Sequence, residues 1–189
     1  TVLRPQSEDH LDYRAYAGRV AGGIYRTGDE ITVLPSGFTS RIAGLDGPDG
    51  PLKEAFAPMS ISIRLEDDID ISRGDMIVRS NNQPVATQDL EVMLCWLNNS
   101  PAKPRAKYTI LHTSNQQKAV IKEVIHKIDI QSLNRNPDDK DLNMNEICKV
   151  KIRTTKPLMI DPYRENRSTG SVILVDDMTN ETVAAGMIV

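Results

Sequence analysis

The sequence predicts an all-β protein built as two consecutive small antiparallel barrels, the first over residues 1–83 and the second over 84–189. Three observations point there. Glycine-containing turns punctuate the N-terminal half at short intervals, several segments alternate apolar and polar residues with a period of two, and one polar stretch with a proline separates two such sets. Short strands with tight turns favour closed sheets, because closure removes the unpaired edges that invite aggregation.

In chain order, turns are expected at Gly22-Gly23, Gly28-Asp29, Ser36-Gly37, Gly47-Pro48-Asp49-Gly50 and Gly74-Asp75, with β-rich segments between them, such as Tyr13 to Ala21 and Glu30 to Leu34. SISIRL is the clearest strand: Ile61, Ile63 and Leu65 face one way and Ser60, Ser62 and Arg64 the other. Ser80 to Gln88 reads as a linker and places the domain boundary. Beyond it, Glu91 to Leu97 and Tyr108 to His112 are apolar runs. CKVKIRT alternates, with Cys148, Val150 and Ile152 on one side and Lys149, Lys151 and Arg153 on the other. KAVIKEVIHKIDI is ambiguous: Ile121, Val124, Ile125 and Ile128 have helical spacing, whereas the β-branched content and the neighbouring strands favour a strand. NRNPDDKDLNMNE, residues 134–146, is polar and aperiodic and reads as a long mobile loop. The end of the chain reads as two strands joined by a polar hairpin turn.

The composition excludes several classes. Of 189 residues, 39% are hydrophobic and 26% charged, which is ordinary for a folded chain and not for a disordered one. The formal charge of −3 argues against a phosphate-coating surface, so no nucleic acid is expected as a partner. The net charge is −4 up to Gln88 (9 Lys+Arg against 13 Asp+Glu) and +1 after it (14 against 13), a mild asymmetry suited to a protein contact. No run approaches a membrane span and no signal peptide opens the chain. With only Cys95 and Cys148, both read as core thiols, the natural compartment is reducing and cytoplasmic. The first residue is Thr1, as in a piece of a longer protein.

Catalytic, cofactor-binding and metal residues are not expected in this chain. LEDDIDISRGD, residues 65–75, carries Glu66, Asp67, Asp68, Asp70 and Asp75, but not in the order of a calcium loop, and it reads as a solvated turn. Its Arg73-Gly74-Asp75 reads as a turn rather than an adhesion tripeptide. His10, His112 and His126 lie far apart and read as structural. There is no Gly-x-Ser-x-Gly elbow, no P-loop and no guanine-reading Asn-Lys-x-Asp. Three Asn-x-Ser/Thr sequons read as chance. Three polar features remain as candidate contact surfaces: PAKPRAK, with Lys103, Arg105 and Lys107; the edge Lys149, Lys151 and Arg153, continued by Lys156; and DPYRENRSTG, whose Tyr163, Arg164 and Arg167 form the aromatic and arginine mixture typical of protein interfaces.

YAGRVAGGIYRTGDEITVLPSG followed by DISRGDMIV, with Gly18, Val20, Gly23, Gly28, Asp29, Ile71, Arg73 and Gly74 at the motif positions, resembles domain two of the translational GTPases, the barrel after the nucleotide domain in elongation factor Tu. The second half, closing on TVAAGMIV, resembles their third domain. LPSG, LEDDIDISRGD, the Trp96-Leu97-Asn98 segment and DPYRENRSTGSVILVDDMTNETVAAGMI resemble, within that superfamily, the large GTP-binding subunit of bacterial sulfate adenylyltransferase. The resemblance implies a GTPase domain, using GTP and Mg, ahead of Thr1. It also implies a smaller catalytic subunit as partner, making adenosine 5′-phosphosulfate and pyrophosphate from ATP and sulfate with GTP hydrolysis as the drive. The two barrels would be a structural and docking module, inactive alone, with Tyr163, Arg164, Arg167, Lys149, Lys151 and Arg153 as docking residues. Whether the parent carries a fused sulfate-activating kinase stays open. The alternative expectations are the tRNA-facing barrels of an elongation factor, which need a basic groove, and a metal-dependent enzyme on the acidic turn.

Overall fold

Alternation is the rule that shapes the chain: inward positions of each strand are apolar and buried, and outward positions meet solvent. In a computed structural model describing residues 2–3, 13–103 and 106–189, this produces sixteen strands and, among the described residues, no helix. Backbone packing divides the chain into two compact units, Thr1–Gln83 and Pro84–Val189.

The first unit contains β1 (Val2–Leu3), β2 (Ala15–Arg19), β3 (Ile24–Arg26), β4 (Glu30–Leu34), β5 (Thr39–Gly47), β6 (Gly50–Leu52), β7 (Glu54–Phe56), β8 (Ser60–Leu65) and β9 (Met76–Arg79). The antiparallel ladder runs β1-β2-β8-β5-β4-β9, with β6 beside β5 and a separate β3-β7 pair. Val20, Ile31, Val33, Ile42, Leu45, Ala55, Ile61 and Ile63 fill its interior. The LEDDIDISRGD segment caps this core. Ile69 turns back into it, its carbonyl accepting from the Tyr16 hydroxyl at 2.5 Å and from Arg14 at 2.7 Å. The acids are occupied structurally: Asp67 accepts from Ser40, and Asp68 and Asp70 pair with Arg14. Gly74, at φ +101, completes the turn into β9, where the Ser72 and Asp75 backbone and side chain bond to each other.

The second unit contains β10 (Val85–Trp96), β11 (Lys107–His112), β12 (Asn115–Ile128), β13 (Arg135–Asn136), β14 (Ile147–Ile160), β15 (Ser171–Asp176) and β16 (Thr182–Ile188). The order β11-β15-β16-β10-β14-β12 returns to β11 through a β11–β12 pairing, so six strands close a barrel. Leu90, Val92, Leu94, Trp96, Ile110, Cys148, Val150, Ile152, Leu158 and Leu174 pack inside it. Trp96 sets its ring edge-on to Tyr108 with centroids 6.0 Å apart and donates from Nε1 to the Ser100 carbonyl at 2.9 Å. Gly186 also faces inward: a Cβ there would lie 3.0 Å from the Met93 carbonyl oxygen and 3.2 Å from Leu94 Cδ1, so hydrogen alone lets β16 lie this close to β10.

Several details depart from the sequence reading. The expected linker at residues 80–88 is shorter, because β10 begins at Val85 and pairs with Ile160. KAVIKEVIHKIDI, by contrast, lies in the strand that the β-branched content and neighbours favour, and its helical spacing has a local cause: register shifts between Ile121 and Glu123 and between Val124 and His126 insert extra residues. Each bulge turns a spacing of two into three, so Ala119, Ile121 and Val124 all pack on the core. The stretch 134–146 is not a free loop. Leu142 enters the core at 3% exposure, and its carbonyl accepts from the Ala102 amide at 3.0 Å. Cys148 is a core thiol, pushed by burial up to about 12, but Cys95 lies on the outward side of β10 between inward Leu94 and Trp96, half-buried. His112 and His126 are strand residues as expected; His10 and Arg105 lie outside the described residues.

Trp96→Ala removes the largest buried side chain of the second barrel and its hydrogen bond. It is expected to cost about 3–5 kcal/mol, read as a lower urea midpoint with near-native spectra in the folded baseline.

Candidate protein-docking surface

Outward positions on a barrel are normally polar, yet one row on the second barrel is apolar across five strands. Register places Ile128 of β12 beside Ile147 of β14, Ile147 beside Cys95 of β10, Cys95 beside Ala185 of β16 and Ala185 beside Ile173 of β15. A second row sets Met93 beside Met187, and Met187 beside Ser171. These rows floor a groove of about 670 Å³. Ile130 and Leu133 stand over one side at 67% and 76% exposure, and Tyr163 forms part of another wall. A contiguous exposed apolar surface of this kind marks a contact site.

Both bordering loops are built to hold their places. In residues 129–134, the Asp129 carboxylate accepts from the amides of Gln131 and Ser132, which hold its pKa below the ordinary value. The Leu133 amide donates to the Asp129 carbonyl at 2.7 Å. Leu133 itself adopts φ +59, a left-handed conformation that costs a residue with a Cβ roughly 1–2 kcal/mol. A leucine held this way while 76% exposed motivates a functional reading of the loop.

Beneath that side, Lys127 points inward from β12, with its side chain 8% exposed, and its ammonium is 2.8 Å from both Asp139 and Glu146. Burial opposes its charge, but the hydrogen bonds it donates to Asp139 and Glu146 outweigh that and leave its pKa raised. The Lys127 bond draws Asp139 down; Glu146, despite burial pushing the other way, is lowered by Lys127 and Asn143. Lys140 donates to the carbonyls of Val124 and Ile125 at 2.8 and 2.9 Å, beside the bulge where the register skips Ile125. This latch is what converts the polar stretch 134–146 into an ordered cover.

The loop carrying Tyr163, Arg164 and Arg167 is braced against the barrel. His112, 1% exposed, bonds through Nε2 to the Thr169 carbonyl at 2.7 Å, and the Thr169 hydroxyl donates to Asp161 at 2.6 Å. Burial holds His112 below the ordinary histidine value, so it serves as a neutral brace. The Tyr163 amide donates to the Ile188 carbonyl, and Ser171, in the groove floor, donates to the Arg167 carbonyl at 2.6 Å. Gly170 is required by close approach: a Cβ there would lie 2.6 Å from Tyr163 N and 2.7 Å from Asn166 O.

The two expected docking sets therefore differ. Tyr163 lines the groove, and Arg164 and Arg167 follow it on the same loop, both exposed and, among the described residues, with no carboxylate within ion-pair distance of either guanidinium. Lys149, Lys151 and Arg153 form a cross-strand ladder with Glu91, Glu123 and Asp89, so that edge is internally neutralised. The groove floor escaped the sequence reading. Its signal lay in the unbroken runs Val92–Trp96 and Val172–Val175, since a strand apolar on both faces is covered on both. Among the described residues, no cluster of three His, Cys, Asp or Glu side chains could hold a metal, and no helix is long and apolar enough to cross a membrane.

A family model described as GTP-eEF1A C-terminal domain-like matches residues 89–189, more than half of the chain and almost all of the closed barrel. The chain belongs to that family. Among curated relatives, the bifunctional enzyme CysN/CysC of Mycobacterium tuberculosis H37Rv is 48% identical over 188 residues, 99% of this chain and 31% of the relative. Sulfate adenylyltransferase subunit 1 of Bacteroides fragilis is 40% identical over 100% of this chain and 38% of its own length. The chain thus spans about a third of the length of these relatives. The crystal structure of sup35 complexed with GDP matches with a TM-score of 0.83 at 15% identity, over 93% of this chain and 43% of that one, which shows the shared all-β fold of the family.

Two outcomes test the loop supports. Gly170→Ala is expected to cost about 1–3 kcal/mol through overpacking against Tyr163, measured by chemical denaturation. Lys127→Met is expected to lower Tm by roughly 5 °C at neutral pH. Because the Lys127 pKa is raised, its contribution is present below the ordinary value of 10.5 and lost as pH rises through the higher one. Because Asp139 and Glu146 are lowered, theirs is present above 3.8 and 4.5 and lost as pH falls through the depressed values. The Tm gap between wild type and variant is therefore widest between those limits and shrinks in acid.

Proposed function

We propose that this chain is the two-barrel, non-catalytic part of a sulfate adenylyltransferase GTPase subunit, acting as a rigid docking module while the chemistry resides outside residues 1–189. The reading is supported by relatives named sulfate adenylyltransferase subunit 1 that match the whole chain, and the observation that carries it is the apolar groove lined in part by Tyr163, whose loop also bears the exposed Arg164 and Arg167. In the whole protein, a nucleotide domain using GTP and Mg would supply the switch. A smaller catalytic subunit would join ATP and sulfate into adenosine 5′-phosphosulfate, and the barrels would pass the switch on as rigid-body movement. The assembly would work in the cytoplasm. A tRNA-facing role needs a basic groove, and Lys149, Lys151 and Arg153 of β14 are already matched by carboxylates.

The test uses the full-length subunit and the smaller subunit, with affinity measured by calorimetry. Arg164→Glu with Arg167→Glu is expected to weaken assembly roughly tenfold, about 1.4 kcal/mol. Reversal of Lys149, Lys151 and Arg153 is expected to lower Tm through clashes with Glu91, Glu123 and Asp89 more than it weakens assembly. Unchanged affinity in both variants removes the proposed docking role.

A further inference from the structure

We infer that the groove on the second barrel seats a segment of a separate polypeptide whose apolar side chains are flanked by Asp or Glu. The inference rests on the docking role proposed above and specifies its chemistry. The floor is aliphatic and sulfur-bearing, with Cys95, Ala185 and Ile173 in one row and Met93 and Met187 in the next. Methionine and leucine adapt to a bound side chain at little cost in specificity of shape, and Leu133 is held in a strained conformation that keeps it out of its own core. The occupant must therefore bring apolar groups.

Charge sets the rest. Several cations on the barrel's outer surface are paired within the chain: Lys118 with Asp177, Lys149 with Glu91, Lys151 with Glu123 and Arg153 with Asp89. Arg164 and Arg167 have no such pair among the described residues, and they stand on a braced loop whose Tyr163 lines the groove and whose Arg167 carbonyl is tied to the groove-floor Ser171. Arginine presents a planar fork of donors suited to bidentate carboxylates. A braced pair of arginines beside an apolar floor selects an acid-edged apolar segment and rejects a basic one.

The experiment places p-benzoylphenylalanine at Met187 of the full-length subunit, mixes it with the smaller subunit after chromatography has shown whether the two assemble, and maps the photo-cross-links by mass spectrometry. The expected result is a cross-link to an apolar segment of the smaller subunit with Asp or Glu within a few residues, lost in an Arg164→Ala, Arg167→Ala background and weakened at least fivefold by Ile173→Asp. Thermal melts confirm that both backgrounds are folded. Cross-links to the subunit's own nucleotide domain, to a second copy of the subunit, or to a segment without carboxylates overturn the inference. So does an assembled complex with no cross-link, which leaves the docking role standing. If the two subunits do not assemble at all, the docking role falls first and the inference with it.

Discussion

Everything in the second unit depends on one pairing, the ladder between β11 and β12 that turns an open sheet into a ring. Closure satisfies the backbone groups along both edges of every strand, so the barrel needs no covering layer to protect an unpaired edge. It also separates two surfaces cleanly: whatever faces in is shared by six strands, and whatever faces out is free to be something other than polar. The apolar rows from Ile128 to Ile173 are tolerable for that reason. On an open sheet the same residues would sit next to an exposed edge and invite stacking of copies.

The division of charge follows the same logic. A barrel's outer face carries long side chains from adjacent strands at close range, and opposite charges placed directly across a ladder stabilise modestly while like charges destabilise. The ladder of Asp89, Glu91 and Glu123 against Arg153, Lys149 and Lys151 meets that demand and leaves little net field. A basic stripe in the sequence is therefore a poor guide to a binding surface until its cross-strand neighbours are known. Residues on a loop escape this bookkeeping, and Arg164 and Arg167 keep their charge available.

Much of the architecture was legible in the sequence because local pattern and final environment agree. SISIRL and CKVKIRT alternate, and both are strands buried on one side. The glycines before Asp29 and Asp75 mark turns. Legibility failed where the third dimension intervenes. The bulges of β12 disguise a strand as a helix, since an inserted residue is invisible without the partner strand that shows where pairing skips. The cover over residues 134–146 has no periodicity; its order comes from Lys127, a charged residue whose inward direction only the register with Cys148 reveals. Cys95 was read as core because its whole neighbourhood is apolar, which in a strand means two covered faces rather than one. The candidate site was half legible: Tyr163, Arg164 and Arg167 stand out by composition, but the groove floor assembles from β10, β12, β14, β15 and β16, and no window of sequence contains it.

The bare interior position at Gly186 links the hidden layer to the visible one. Any larger residue would lever β16 away from Val92 and Leu94, and the adjoining Ala185 and Met187 would ride outward with it. Substitutions deep in the barrel could therefore reshape the contour that a neighbour meets, without altering a single residue that the neighbour touches.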